Sequence, residues 1–144
     1  MNFKKIDVND VAKKIDPVEM VQNNWYLITV EDDSVANTLT AAWGGLGNLC
    51  WKGTATVSIR PQRHTKKFMD ASGCFTMTFF DFDKYKPALS YLGSHSGADE
   101  PNKIENAGLH LTHVDGQSIF EEGKCVPACK TIIKVRNVRR TLER

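Results

Sequence analysis

Cys74-Phe75-Thr76-Met77-Thr78-Phe79-Phe80 is the stretch whose reading decides the fold. Threonine and phenylalanine favour a pleated, half-buried backbone, so residues 74–80 are expected to form a strand. Side chains two apart share a face of a strand, which places Phe75, Met77 and Phe79 together on an apolar face. Working outward, residues 25–30 (WYLITV) read as a second strand, with Glu31-Asp32-Asp33-Ser34 as a turn. Residues 38–43 read as a strand ended by Gly44, Gly45 and Gly47. Residues 54–59 (TATVSI) alternate with period two and stop before Pro61. Residues 109–113, 118–122 and 125–135 complete the set of strands.

The helical signals are short. Val8, Val11 and Ile15 recur at helical spacing and stop before Pro17. Residues 65–72 form a helix with Thr65 as its cap and Phe68 and Met69 facing inward. Tyr85, Leu89 and Leu92 have helical spacing, with Gly93 at the position just past the end. Residues 101–107 start with Pro101 and stop before Gly108. Long helices do not alternate with the strands, which favours an antiparallel barrel over a doubly wound parallel sheet. The expectation is a mainly β chain: one antiparallel barrel with short helical insertions, in a single domain over residues 1–144.

Composition narrows the function classes. The 19 Lys and Arg against 17 Asp and Glu give a net charge of +2, too mild to argue for a nucleic-acid protein. No apolar run approaches the roughly 20 residues of a membrane span. The amino terminus has Lys4 and Lys5 but no apolar stretch behind them, unlike a secretory signal. The cysteines at 50, 74, 125 and 129 are then expected to be reduced thiols of a cytoplasmic protein. Cys125 and Cys129 have the wrong spacing for a zinc knuckle, and His110 and His113 complete no standard pattern, so no metal is expected. No catalytic triad or nucleophile elbow stands out.

Three segments carry chemistry. Arg60-Pro61-Gln62-Arg63-His64-Thr65-Lys66-Lys67 lies between a strand and a helix start. Its guanidiniums, hydroxyl and first-turn amides suit a phosphate, although such runs are usually solvated basic loops. Asn37-Thr38-Leu39-Thr40-Ala41-Ala42-Trp43 has small and hydroxylic side chains that leave a backbone reachable by a flat ligand. By itself it also reads as a plain edge strand. Gly93-Ser94-His95-Ser96-Gly97-Ala98-Asp99, followed by Lys103, is a loop that could meet an anion or simply join two helices.

Taken in order, NTLTAAWGGLG (37–47), TVSIRPQRHTKKF (56–68), FTMTFF (75–80) and LGSHSGADEPNKI (92–104) resemble the flavin reductase-like, FMN-binding split-barrel family, in its flavoredoxin-type branch. The resemblance covers roughly residues 25–130. It implies an antiparallel Greek-key split barrel that forms a homodimer, with FMN near the subunit interface. It implies that Asn37, Thr38, Thr40, Ala41, Ala42 and Trp43 lie along the flavin ring and ribityl chain. Arg60, Arg63 and Thr65 would hold the phosphate, assisted by Ser96 and Lys103. Relatives often carry Arg where this chain has Ala98, and continue into a further strand where this chain has the charged run 136–144. A shortened or altered closing segment is therefore expected. The implied activity is hydride transfer from NAD(P)H to flavin or another acceptor, without an acid–base residue. The alternatives are an FMN electron carrier with a redox-protein partner, or a non-catalytic relative with a decayed site.

Overall fold

The computed structural model describes residues 4, 16–49 and 51–129. The helix expected from Val8, Val11 and Ile15, residue Cys50 and everything from Lys130 onward lie outside the described residues. Helix α1 (Pro17–Gln22) starts with proline at its first position. The Asp16 carboxylate caps it, accepting from the Val18 and Glu19 amides at 2.8 and 3.2 Å.

Strands β1 (Tyr26–Asp32) and β2 (Val35–Ala41) form a hairpin with Thr29 opposite Thr38. The turn is narrower than expected. Glu31 and Asp32 belong to β1, and only Asp33 and Ser34 turn, with φ of 47° and 64°. Two residues with positive φ match the twist of the flanking strands, and short polar side chains tolerate that region. A second hairpin joins β3 (Gly44–Leu49) to β4 (Lys52–Val57). The glycines expected to end a strand thus build one. A Cβ on Gly44 would lie 2.2 Å from the Thr56 carbonyl oxygen and 2.7 Å from the Tyr26 hydroxyl, so the close approach of β4 requires glycine there.

Helix α2 (His64–Ala71) follows, with Arg63 rather than Thr65 at its cap position. Strand β5 (Cys74–Phe79) leads to α3 (Phe82–Ser94) and then α4 (Lys103–Asn106). Gly93 lies inside α3 instead of past its end, and it packs on the Thr40 side chain, where an added Cβ would sit at 3.3 Å. The expected helix over 101–107 is only its middle four residues. Strands β6 (Leu111–Val114) and β7 (Gln117–Phe120) turn at Asp115-Gly116, with φ of 51° and 76°. Strand β8 (Lys124–Cys129) ends the described chain.

All strand pairings are antiparallel, but the ladders form three sheets rather than one closed barrel: β2-β1-β5-β8, β3-β4 and β6-β7. The four-stranded sheet is buried on both faces at its centre. Tyr26, Ile28, Val30, Leu39, Phe75, Met77 and Phe79 form one apolar cluster, against which β3, β4 and α2 pack Leu46, Val57, Phe68 and Met69. The shared face expected for Phe75, Met77 and Phe79 is therefore found. Leu27 points the other way, into a second cluster with Leu89 and Leu92 of α3, Leu109 and Phe120. This arrangement leaves β2 as one edge of the main sheet, with α2 on one side of it and α3 on the other.

Candidate functional site

Helix α3 and the loop that follows it hold the edge strand β2 on both of its faces. On one face, the Asn37 amide donates to the Thr65 hydroxyl at 3.1 Å, both side chains buried. Gly97 closes over that pair, so tightly that a Cβ there would lie 2.4 Å from Asn37 Oδ1. On the other face, the Thr40 hydroxyl donates to the Leu89 carbonyl at 2.6 Å. Thr38 is fully buried, its hydroxyl donating to the Ile28 carbonyl at 2.9 Å and lying 3.2 Å from that of Thr29. Thr65 does not cap α2, because the helix begins at His64 and places Thr65 inside its first turn, where its hydroxyl accepts from Asn37.

Two cations converge on the end of α3 and the loop that follows it. Arg63 donates from Nη1 to the Gly93 carbonyl at 2.8 Å. Lys103, only 3% exposed, donates from Nζ to the carbonyls of Thr38 at 2.7 Å and His95 at 3.0 Å. Burial, aided by the Arg63 charge and opposed by Glu100, pulls the Lys103 ammonium down to about 8. Ser96 shapes the loop itself: its hydroxyl accepts from the Ala98 amide, and its carbonyl accepts from the amides of Asp99 and Glu100. The first turn of α2 has no side-chain cap, so the positive end of this helix is left for another acceptor.

The remaining expected residues sit at the far end of β2. Ala41 is buried and Ala42 half-buried. Trp43 is 59% exposed, its carbonyl held by the Tyr26 hydroxyl at 2.8 Å and its ring 5.3 Å from the Arg60 guanidinium. Burial pushes the Tyr26 phenol up to about 12, so that hydroxyl stays a donor. Arg60 and Arg63 are joined through the backbone, the Arg63 amide donating to the Arg60 carbonyl at 3.1 Å. The fold thus gathers Asn37, Thr38, Thr40, Arg63, Thr65, Ser96 and Lys103 around one loop, and leaves Arg60 and Trp43 as a separate exposed pair beside it. Two surface cavities of about 280 and 500 Å³ are lined by none of these residues. Among the described residues no group of His, Cys, Asp and Glu could hold a metal ion. No helix among them is long and apolar enough to cross a membrane.

Reading the sequence placed Gly97 in a candidate loop without giving it a role, and missed the backbone carbonyls of Leu89, Gly93 and His95. The Ser-Gly pair at 96–97 was the available signal for the first. Nothing in a sequence marks which carbonyls a buried lysine will find.

No family model matches the chain, and neither does any curated protein. Solved structures do match. An FMN-binding domain of a flavin reductases-like enzyme from Shewanella baltica OS155 is 20% identical, with a TM-score of 0.67 over 80% of this chain and 63% of its own. Flavoredoxin of Desulfovibrio vulgaris (Miyazaki F) is 25% identical, with a TM-score of 0.61 over 69% of this chain and 54% of its own. Nitrilotriacetate monooxygenase component B from Bacillus cereus is 17% identical, with a TM-score of 0.58 over 90% of this chain and 68% of its own. The chain therefore spans less than two-thirds of the first two neighbours. The likeness expected from the motifs holds at the level of fold.

Proposed function

We propose, from the fold it shares with flavin reductase-like FMN-binding domains, that this chain binds FMN along β2 and works as an oxidoreductase. In this reading it takes hydride from NADH or NADPH and passes electrons to flavin or another acceptor. The observation that carries the reading is the convergence of Arg63, Lys103, Thr65 and the uncapped start of α2 on one loop at a sheet edge. That donor set fits a phosphate monoester: two cations, a hydroxyl and the amides of a helix amino terminus. Charge-assisted bonds of this kind are worth roughly 1.5–3 kcal/mol each. The Arg60–Trp43 pair beside it adds a further cation for the phosphate and, in Trp43, a flat apolar surface for the ring.

When bound, the flavin ring supplies the redox chemistry, and the chain needs no acid or base of its own. The work of the residues is binding and orientation. Asn37, Thr38, Thr40 and Ala41 of β2, with Ala42 and Trp43 just past its end, form the edge along which the ring and ribityl chain lie. Arg60, Arg63 and Thr65 hold the phosphate, Ser96 shapes the loop beside it and Lys103 adds charge from beneath. A second copy of the chain is the natural cover for the exposed side of this site. Trp43 and the 96%-exposed Trp51 are apolar surfaces that a homodimer would bury.

The test is oxidation of NADH and of NADPH by the purified chain with added FMN, followed by nicotinamide absorbance. The expected result is consumption above the rate of free FMN with at least one of the two. Tight FMN binding with no consumption of either would overturn the reductase assignment and leave an electron carrier.

A further inference from the structure

The ladder between β5 and β8 sets Cys74 directly opposite Cys129. Residues directly opposite on antiparallel strands share a face, with Cα atoms about 4.5 or 5.5 Å apart according to the hydrogen-bonding position. A disulfide needs about 4.4–6.8 Å between Cα atoms, so either position admits one. The start of β5 is pinned. The Ser72 hydroxyl donates to the Cys74 carbonyl at 3.1 Å and accepts from the Cys74 amide at 3.3 Å. Cys74 is half-buried and lines a surface cavity of about 280 Å³ with Val57, Met69 and Phe75, which gives a small reagent a path to it. Cys125 is the contrast. It lies on the same strand as Cys129, but the register sets it opposite Thr78 instead of a cysteine. Burial pushes its thiol up, which makes it a poor nucleophile at neutral pH.

We propose that Cys74 and Cys129 are a reversible dithiol–disulfide pair, oxidised by a small disulfide of the glutathione type, that staples β8 to β5. The Cys74 thiolate attacks the S–S bond of the reagent, forms a mixed disulfide and releases one reagent thiol. The Cys129 thiolate then attacks the Cys74 sulfur and displaces the second reagent thiol. The protein loses two electrons and two protons, and one reagent disulfide is reduced to two thiols. Excess reagent thiol reverses both steps. Among the described strands, β8 and β2 are opposite edges of the main sheet, so the staple lies away from the candidate flavin edge and does not rest on the FMN reading.

The test treats the full chain with oxidised glutathione, quenches and alkylates it, and maps the tryptic peptides without reduction. The expected product joins the peptide that carries Cys74 to residues 125–130, and reduced glutathione should abolish it. Cys125 and Cys129 fall in that one peptide, so variants locate the bridge. Cys125→Ser should keep it, and Cys129→Ser should stop at a mixed disulfide on Cys74. The oxidised parent should unfold at higher urea than the reduced parent, because the bridge restricts the unfolded chain, and the two midpoints should coincide in Cys129→Ser. A mixed disulfide that persists on Cys74 in the parent, a bridge to Cys50 or Cys125, every cysteine alkylated after oxidation, or a bridge that leaves the urea midpoint unchanged or lower would overturn the proposal. If Cys129→Ser does not fold, the parent and Cys125→Ser still decide the matter.

Discussion

Gly97→Ala places a methyl group where the structure has no room. Its Cβ would lie 2.4, 3.0 and 3.3 Å from Oδ1, Cγ and Nδ2 of Asn37. Asn37 is buried and cannot swing into solvent, and its amide already serves Thr65 at 3.1 Å. Relief must therefore displace either the loop or the Asn37–Thr65 bond. Losing that bond with a buried polar group left behind costs about 1–3 kcal/mol, and keeping it at the expense of overpacking costs a similar amount. The expected destabilisation is about 2–3 kcal/mol in urea unfolding, with the m-value unchanged. Gly45→Ala is the control, since an added Cβ there meets nothing within 4 Å. It should change stability by less than about 0.5 kcal/mol. A double-mutant cycle sharpens the test. In an Asn37→Ala background the obstruction is gone, so Gly97→Ala should add less than about 0.5 kcal/mol, a coupling of roughly 2 kcal/mol. Additive penalties, or a Gly97→Ala variant as stable as Gly45→Ala, would refute the packing of this loop on β2.

Met77→Ala empties a fully buried position at the centre of β5 and should cost about 2–5 kcal/mol, measured by the same urea unfolding. Arg63→Ala should cost FMN roughly 1.5–3 kcal/mol, about 10- to 150-fold in affinity, and riboflavin far less, as read by titration with each flavin. Glu31 accepts hydrogen bonds from the Ser118 hydroxyl and the His113 ring, and these hold its carboxyl below its ordinary value of 4.5. Its stabilisation is present above that value and is lost as pH falls through the lower folded one, so Glu31→Gln should flatten the acid limb of stability against pH.

The fold was legible where one residue pattern had one physical outcome. Phe75, Met77 and Phe79 alternate, and a strand with one apolar face follows. Both faces of β5 proved to be buried, however, with Thr76 and Thr78 inside as well. Threonine does not announce whether it faces water or a neighbouring carbonyl, and here Thr76 donates to the Ser118 carbonyl at 3.0 Å. Gly44 and Gly93 misled for a related reason. Glycine marks the end of an element and the close approach of a second chain segment with the same letter. Only the partners, the Thr56 carbonyl and the Thr40 side chain, tell the two apart. The separation into three sheets was not readable either, because short strands do not state which neighbour they will pair with. Site residues close in sequence, such as Arg63 and Thr65, were visible as a cluster. The carbonyls that anchor Arg63 and Lys103 belong to the folded chain alone.

Selectivity between FMN and riboflavin tests the central claim most directly. Equilibrium titration of the purified chain with each, read by flavin fluorescence, gives the two dissociation constants without requiring turnover. The phosphate-clamp account predicts that FMN binds at least about tenfold more tightly, because only FMN can engage Arg63, Thr65 and the start of α2 through a charged group. Equal affinities for the two, or no binding of either, would contradict it.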